Sequence, residues 1–160
     1  MNSIELSKAI ENAVKGAIYK DITLDVARKV SEEVRKKAAE IGVKAVVAIA
    51  NSGARPILVE CMDDAYIASY DIAVNKAYTV VSLKMSTGAL KNLSQPGQSL
   101  YGIQFTNNSQ IVIFGGGEPL TVSDKVVGGL GVSGGSEEQD TYLGEYGKQI
   151  FEKLMKERSF

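Results

Sequence analysis

The chain has 160 residues, of which 44% are hydrophobic and 23% charged, and a formal net charge of −1. This is globular composition on a chain long enough to bury one core, and it excludes wholesale disorder and the electrostatic footprint of a nucleic-acid or anionic-membrane binder. With no histidine and a single cysteine, Cys61, the Ser-His-Asp and Cys-His nucleophile systems, the commonest zinc ligand and any intramolecular disulfide are all removed.

No segment approaches the roughly 18 apolar residues that a membrane span needs. Glu5 brings a charge before any apolar leader region can form, so no secretory signal is expected. The expectation is one domain over residues 1–160, in the cytoplasm, with no nucleic-acid or membrane partner.

Two helices open the chain. Leu6, Ile10, Ala13 and Ala17 lie on one stripe, with Ser3 as the expected N-cap. Thr23 is placed to cap a second helix, in which Val26, Val30, Val34, Ala38 and Ile41 recur at near-helical spacing before Gly42, a C-terminal stop. Val43 to Ala50 is an apolar run of strand length. A turn over Asn51-Ser52-Gly53-Ala54 leads to a second strand from Pro56 to Met62, so the pair is expected to form an antiparallel hairpin.

Asp63 or Asp64 is the expected cap of a third helix from about Ala65 to Leu83. That helix is apolar on several faces, as suits a helix covered on more than one side. Residues 84–109 carry turn chemistry around short helical pieces. Ile111 to Phe114 is expected as a strand, Gly115-Gly116-Gly117 as a turn, Pro119 to Val122 and Lys125 to Val132 as two further strands. Ser136-Glu137-Glu138-Gln139 matches the S-x-x-Q capping box that opens the last helix. The expected fold class is α/β (α+β): an antiparallel sheet of about five strands with helices packed on it.

Several features read two ways. Gly129-Leu130-Gly131-Val132-Ser133-Gly134 matches G-x-G-x-x-G, but no second strand follows, so a dinucleotide-binding βαβ unit is not expected. The glycines ahead of the last helix suit anion binding in principle, although Glu137, Glu138 and Asp140 already fill its first turn. Gly115-Gly116-Gly117 is either a hairpin turn needing positive φ or a backbone nest lining a pocket. Lys76, on the apolar third helix, either reaches out to solvent or pairs with a carboxylate, from the protein or from a ligand.

Asn51-Ser52-Gly53-Ala54-Arg55-Pro56-Ile57-Leu58, followed by Ile72-Ala73-Val74-Asn75-Lys76-Ala77-Tyr78-Thr79, carries a family resemblance. It continues through Pro96-Gly97, Gly115 to Leu120 and Val127 to Gly135. The chain resembles the GlcG/HbpS-like haem-associated family, which includes the C-terminal domain of PduO-type corrinoid adenosyltransferases. The resemblance implies a profilin-like fold, homo-oligomers, haem or another tetrapyrrole as ligand, and a setting in diol, glycerol or glycolate metabolism.

The expected function is therefore small-molecule binding without catalytic residues. The alternative is a non-catalytic accessory subunit in a corrinoid-dependent pathway. Expected ligand-binding residues are Lys76, Pro96, Gly97, Gly115, Gly116, Gly117, Ser133 and Gly134. Histidine, the usual axial ligand of haem iron, is absent. Tyr19, Cys61, Met62 and Met85 are the candidate side chains for that role, with water as the alternative.

Overall fold

The computed structural model describes residues 2–18 and 20–157. Helix α1 covers Ser3–Ile18 and α2 covers Leu24–Glu40. Strands β1 (Val46–Asn51) and β2 (Pro56–Cys61) form the expected hairpin, followed by α3 (Ile67–Leu83) and the short α4 (Thr87–Leu93). Two single turns of 3-10 helix, Ile103–Phe105 and Asn107–Ser109, lead to β3 (Gly117–Val122), β4 (Lys125–Ser133) and the long α5 (Glu137–Glu157).

The sheet is antiparallel throughout, in the order β2-β1-β4-β3. It has four strands where about five were expected. Ile111 and Val112 are buried, yet their segment has no neighbouring strand to pair with. The Val112 N–H goes instead to the Thr79 hydroxyl of α3 at 3.0 Å, and the Gly115 N–H to the Glu137 carboxylate at 2.9 Å. β3 holds the sheet edge, and Pro119 is tolerated there because an edge strand can forgo a ladder donor.

The period-2 alternation of β1 builds two cores. Val47 and Ile49 face one side and join Val26, Val30, Val34, Leu130, Leu143 and Phe151 under α2 and α5. Val46, Ala48 and Ala50 face the other side, beneath Ala73, Ala77 and Val80 of α3. The apolar character of α3 on several faces follows from this sandwiching, because residues 103–112 cover part of its outer side through Asn107–Tyr78 and Val112–Thr79 contacts.

Capping follows local chemistry, with two corrections. Thr23 caps α2 through the Val26 N–H, and Ser136 and Gln139 exchange side-chain–backbone bonds at 3.2 and 2.9 Å ahead of α5. At α1, Asn2 rather than Ser3 caps, exchanging two 2.8 Å bonds with Glu5. At α3, neither Asp63 nor Asp64 caps: the N-cap is Tyr66, without a side-chain bond. Asp64 adopts φ +63° and pairs with Lys44.

Helix α1 stands apart from this body. Gly16 is its one buried residue, set against the turn at Ser123, whose hydroxyl donates to Asn12 O at 2.7 Å. The Leu6–Ile10 stripe remains exposed.

Candidate ligand-binding groove

The glycine-rich run 128–135 is a packing device. β4 lies directly under α3, and a Cβ on Gly131 would sit 2.0 Å from Ala73 O and 2.7 Å from Ala77 N. One on Gly129 would sit 2.6 Å from Ala77 O. Only hydrogen allows the helix backbone so close to the sheet. The G-x-G-x-x-G pattern therefore falls on an antiparallel strand and the turn after it, with no βαβ unit.

Where the middle of α3 meets the start of α5, the same closeness brings charged groups inside. Lys76 is fully buried. Its Nζ donates to Val132 O at 2.7 Å and to Asp140 Oδ2 at 2.9 Å, and lies 5.0 Å from the centre of the Phe114 ring. Burial pushes the Lys76 ammonium below the ordinary lysine range, and the Asp140 charge and hydrogen bond pull it partly back. Of the two sequence readings of Lys76, the paired one holds, and the partner is the protein's own carboxylate.

Gly115, Gly116 and Gly117 are the crossing beneath this pair. A Cβ on Gly115 would meet the Thr141 hydroxyl at 2.0 Å, and one on Gly116 would meet Lys76 Nζ and Val132 O at 2.7 Å. Gly116 alone of the three has positive φ, +108°, so the segment is a close-packed crossover rather than a hairpin turn. The Gly115 N–H and Lys91 hold the Glu137 carboxyl below its ordinary range.

Above this floor the surface opens. A cleft of about 260 Å³ is walled by Tyr66, Ile72 and Phe114, with Ser69, Ser133 and Gly134 along its base. The Ser69 and Ser133 hydroxyls bond each other at 3.1 Å. A second cleft of about 550 Å³ adjoins it across Tyr66, Gly134 and Gly135 and extends to Lys44 and Gln139. Beyond Lys44 and Asp64 a third arm, about 740 Å³, runs past Arg35 and Glu60 to Cys61 and Met62. The three make one groove with an aromatic end and a charged end.

The expected site residues divide. Ser133 and Gly134 line the groove, and Lys76 with Gly115, Gly116 and Gly117 lies under its aromatic end. Pro96 and Gly97 form an exposed turn closed by Gln98 N–H to Gln95 O at 2.9 Å, and line none of the three arms. At the start of α5 the Gly135 and Ser136 N–H groups already serve Asp140 and Gln139, which removes two donors that anion binding there would use.

Three of the four side chains considered for iron fall among the described residues. Cys61 is exposed in the charged arm. Met62 packs on the core and its sulfur accepts the Ala45 N–H at 3.3 Å. Met85 follows the far end of α3, and Tyr19 lies outside the described residues. Sequence reasoning passed over Tyr66 and Phe114, whose exposed rings frame the aromatic end; two solitary aromatics carry no motif.

A family model described as "Haem degrading protein HbpS-like" matches residues 22–148. The chain belongs to the HbpS-like family. It is 46% identical over 133 residues, 83% of this chain and 94% of the relative, to an uncharacterized 15.0 kDa protein in the dhaT-dhaS intergenic region of Citrobacter freundii. It is 38% identical over 109 residues to the corrinoid adenosyltransferase PduO of Citrobacter freundii, matching 68% of this chain and 32% of that enzyme. Among solved structures it is similar to a PduOC:heme complex, with a TM-score of 0.79 and 31% identity, covering 81% of this chain and 94% of that one. These matches agree with the α+β fold and the family that the sequence motifs implied. In this HbpS-like chain, α1 lies outside the family match, as its sparse packing on the body suggests.

The chemistry of the groove suits a haem-like group in part, because Glu137 and Asp140 also line the aromatic cleft. Flat apolar walls, a polar base and a cation at the adjoining arm match the faces and carboxylates of a macrocycle. The same walls hold no imidazole or sulfur for its iron among the described residues.

Proposed function

We propose that this HbpS-like chain is a binding protein for a tetrapyrrole, haem included, held at the aromatic end of the groove between copies of the chain. The observation that carries the reading is the placement of Tyr66 and Phe114, two exposed rings lining one cleft based on Ser69, Ser133 and Gly134. Ligand sites are concave and mostly apolar with a few placed polar groups, and this cleft has that character.

Its size supports a shared site. Pockets that enclose a small organic ligand usually measure about 300–1,000 Å³, and the aromatic arm by itself is about 260 Å³ and open. Beside it, Ile67 is 97% exposed and Tyr70 is 48% exposed on the first turns of α3. A second copy covering these side chains would close the cleft and bury the rest of the ligand. Lys76 is buried in its pair with Asp140, whereas the pair of Lys44 with Asp64 is exposed on the adjoining arm, where a ligand carboxylate could compete for the Lys44 ammonium.

Lys76, Asp140 and the Gly115 to Gly117 crossing keep the base in place, and Pro96 and Gly97 have no part in this reading. The metabolic setting proposed is diol, glycerol or glycolate metabolism in the cytoplasm. Its support is a relative named for its position between dhaT and dhaS and another that is a corrinoid adenosyltransferase. No helix among the described residues is long and apolar enough to cross a membrane.

The test is a haemin titration followed in the Soret region, with size-exclusion chromatography on the same sample. Saturation at one haem per chain or per dimer, weakened about tenfold or more by Phe114→Ala or Tyr66→Ala, is the expected result. Featureless, non-saturating absorbance from a folded oligomer would instead favour the accessory-subunit reading, which the bare apolar surface of Ile67 and Tyr70 otherwise supports.

A further inference from the structure

We infer that α1 is an assembly helix, which pairs ridge into groove with α1 of a second copy of this chain, independently of the ligand and the function proposed above. Leu6, Ile10, Val14 and Ile18 recur every four residues and form one raised row along the helix. Ala9, Ala13 and Ala17 form the neighbouring row at the same spacing, and it is low. A ridge of large side chains beside a groove floored by alanine fits a second copy of itself, because each ridge enters the other's groove about a two-fold axis.

The body of the protein fixes which side of α1 faces outward. Asn12 and Gly16 meet the turn between β3 and β4. There the Ser123 hydroxyl donates to Asn12 O at 2.7 Å, and a Cβ on Gly16 would stand 3.4 Å from Ser123 Cβ. Ile10 and Val14 are each two residues from Asn12, so they lie about 200° away around the helix. The ridge therefore points to solvent, with Leu6 46%, Ile10 55%, Val14 43% and Ile18 54% exposed. A helix of 16 residues is marginal in water unless an apolar face is covered. β-Branched residues at four positions and Gly16 within it favour the helix only weakly.

Charge and area select the occupant. Within α1, Glu5 and Glu11 balance Lys8 and Lys15. The helix thus has no cationic face for an anionic lipid surface, and two copies meet without net repulsion. Covering the ridge and the alanine row in both copies removes on the order of 1,000 Å² from water, the least that a specific interface requires. The pair leaves the cleft open. Lys125, whose ammonium approaches Gly16 O, and Ser133, at the base of the cleft, are the two ends of β4, about 27 Å apart.

The experiment is light scattering on the full chain without ligand, from about 1 to about 100 µM. A mass rising with concentration to at least twice that of one chain is expected, with Ile10→Asp and Ala13→Leu each raising the concentration of half-association about tenfold or more. Ala13→Leu enlarges the apolar surface but fills the groove, so unspecific apolar association would strengthen where the fitted pair weakens. Both positions are exposed, and an unchanged thermal midpoint shows that the body of each variant is folded. Amide exchange in α1 should slow with concentration in the wild type and not in Ile10→Asp. A chain that stays monomeric throughout, association that Ile10→Asp leaves unchanged, or association that Ala13→Leu strengthens would each overturn the inference. Co-sedimentation of a monomeric chain with phosphatidylcholine–phosphatidylglycerol vesicles, lost in Ile10→Asp, would overturn it in favour of a lipid surface.

Discussion

The Lys76 ammonium and the Asp140 carboxylate, 64 residues apart in sequence, meet at 2.9 Å in the interior, with 0% and 5% of their side chains exposed. The pair joins α3 to the start of α5. Asp140 completes the joint by accepting the Gly135 N–H at 2.9 Å through its other oxygen.

Removing one partner strands a buried charge. Asp140→Leu is expected to cost about 3–5 kcal/mol, and Lys76→Met/Asp140→Leu to cost less than Lys76→Met and Asp140→Leu added together. Urea unfolding of the four proteins closes the cycle. Strict additivity would mean that the two groups do not interact.

Gly131 should be intolerant of any side chain. Gly131→Ala drives a Cβ into the backbone of α3 at Ala73 O, and backbone cannot step aside, so a loss of at least about 2 kcal/mol is expected. Gly88 is the control. It sits in α4 with nothing within 4 Å of the place a methyl group would take, and Gly88→Ala should gain about 0.5 kcal/mol from helix propensity. Thermal unfolding of both variants distinguishes a packing requirement at one glycine from a general sensitivity to glycine replacement.

Glu118 on β3 gives a pH signature. Burial raises its carboxyl above the ordinary value of 4.5, and Lys148, at 3.4 Å, offsets this in part. A carboxyl raised in the folded state contributes stability that is fully present below the unfolded value and is lost as pH rises through the folded one. Glu118→Gln should therefore gain on the wild type as pH rises above the ordinary carboxyl value of 4.5. Chemical denaturation of both proteins across that range measures it, and a stability difference that stays flat or moves the other way would contradict the buried-carboxyl reading.

Thr79 replaces a strand partner. Its hydroxyl donates to Asn75 O at 2.7 Å and accepts the Val112 N–H at 3.0 Å. Thr79→Val keeps the shape and leaves that buried N–H without an acceptor, at a cost of about 1–3 kcal/mol. Thr79→Ser should retain most of the hydrogen bonding, and hydrogen exchange at the Val112 amide reports the difference directly.

Much of the fold is legible because its signals are local. The apolar run from Val43 to Ala50 marked β1, and Thr23, Gly42 and the Ser136–Gln139 box marked helix ends by chemistry that acts within four residues. Ile111 to Phe114 misled for the same reason. Its composition suits a strand, but a strand also requires a neighbour, and at that place the neighbour is the hydroxyl of Thr79. The groove was half legible. Glycine-rich turns pointed to Ser133 and Gly134, while Pro96 and Gly97, equally turn-like, closed an exposed loop elsewhere.

By itself the sequence determined the α+β class, the order of its elements except the strand expected at Ile111 to Phe114, the family, and the absence of any imidazole chemistry, since each follows from composition or from contacts between near neighbours along the chain. The tertiary structure decided which glycines carry a helix on their backs, that Lys76 is neutralised by Asp140, and that Tyr66 and Phe114 line one cleft. Those depend on residues dozens of positions apart being brought within a few ångströms, and only the packing of α3 and α5 on β4 fixes such distances.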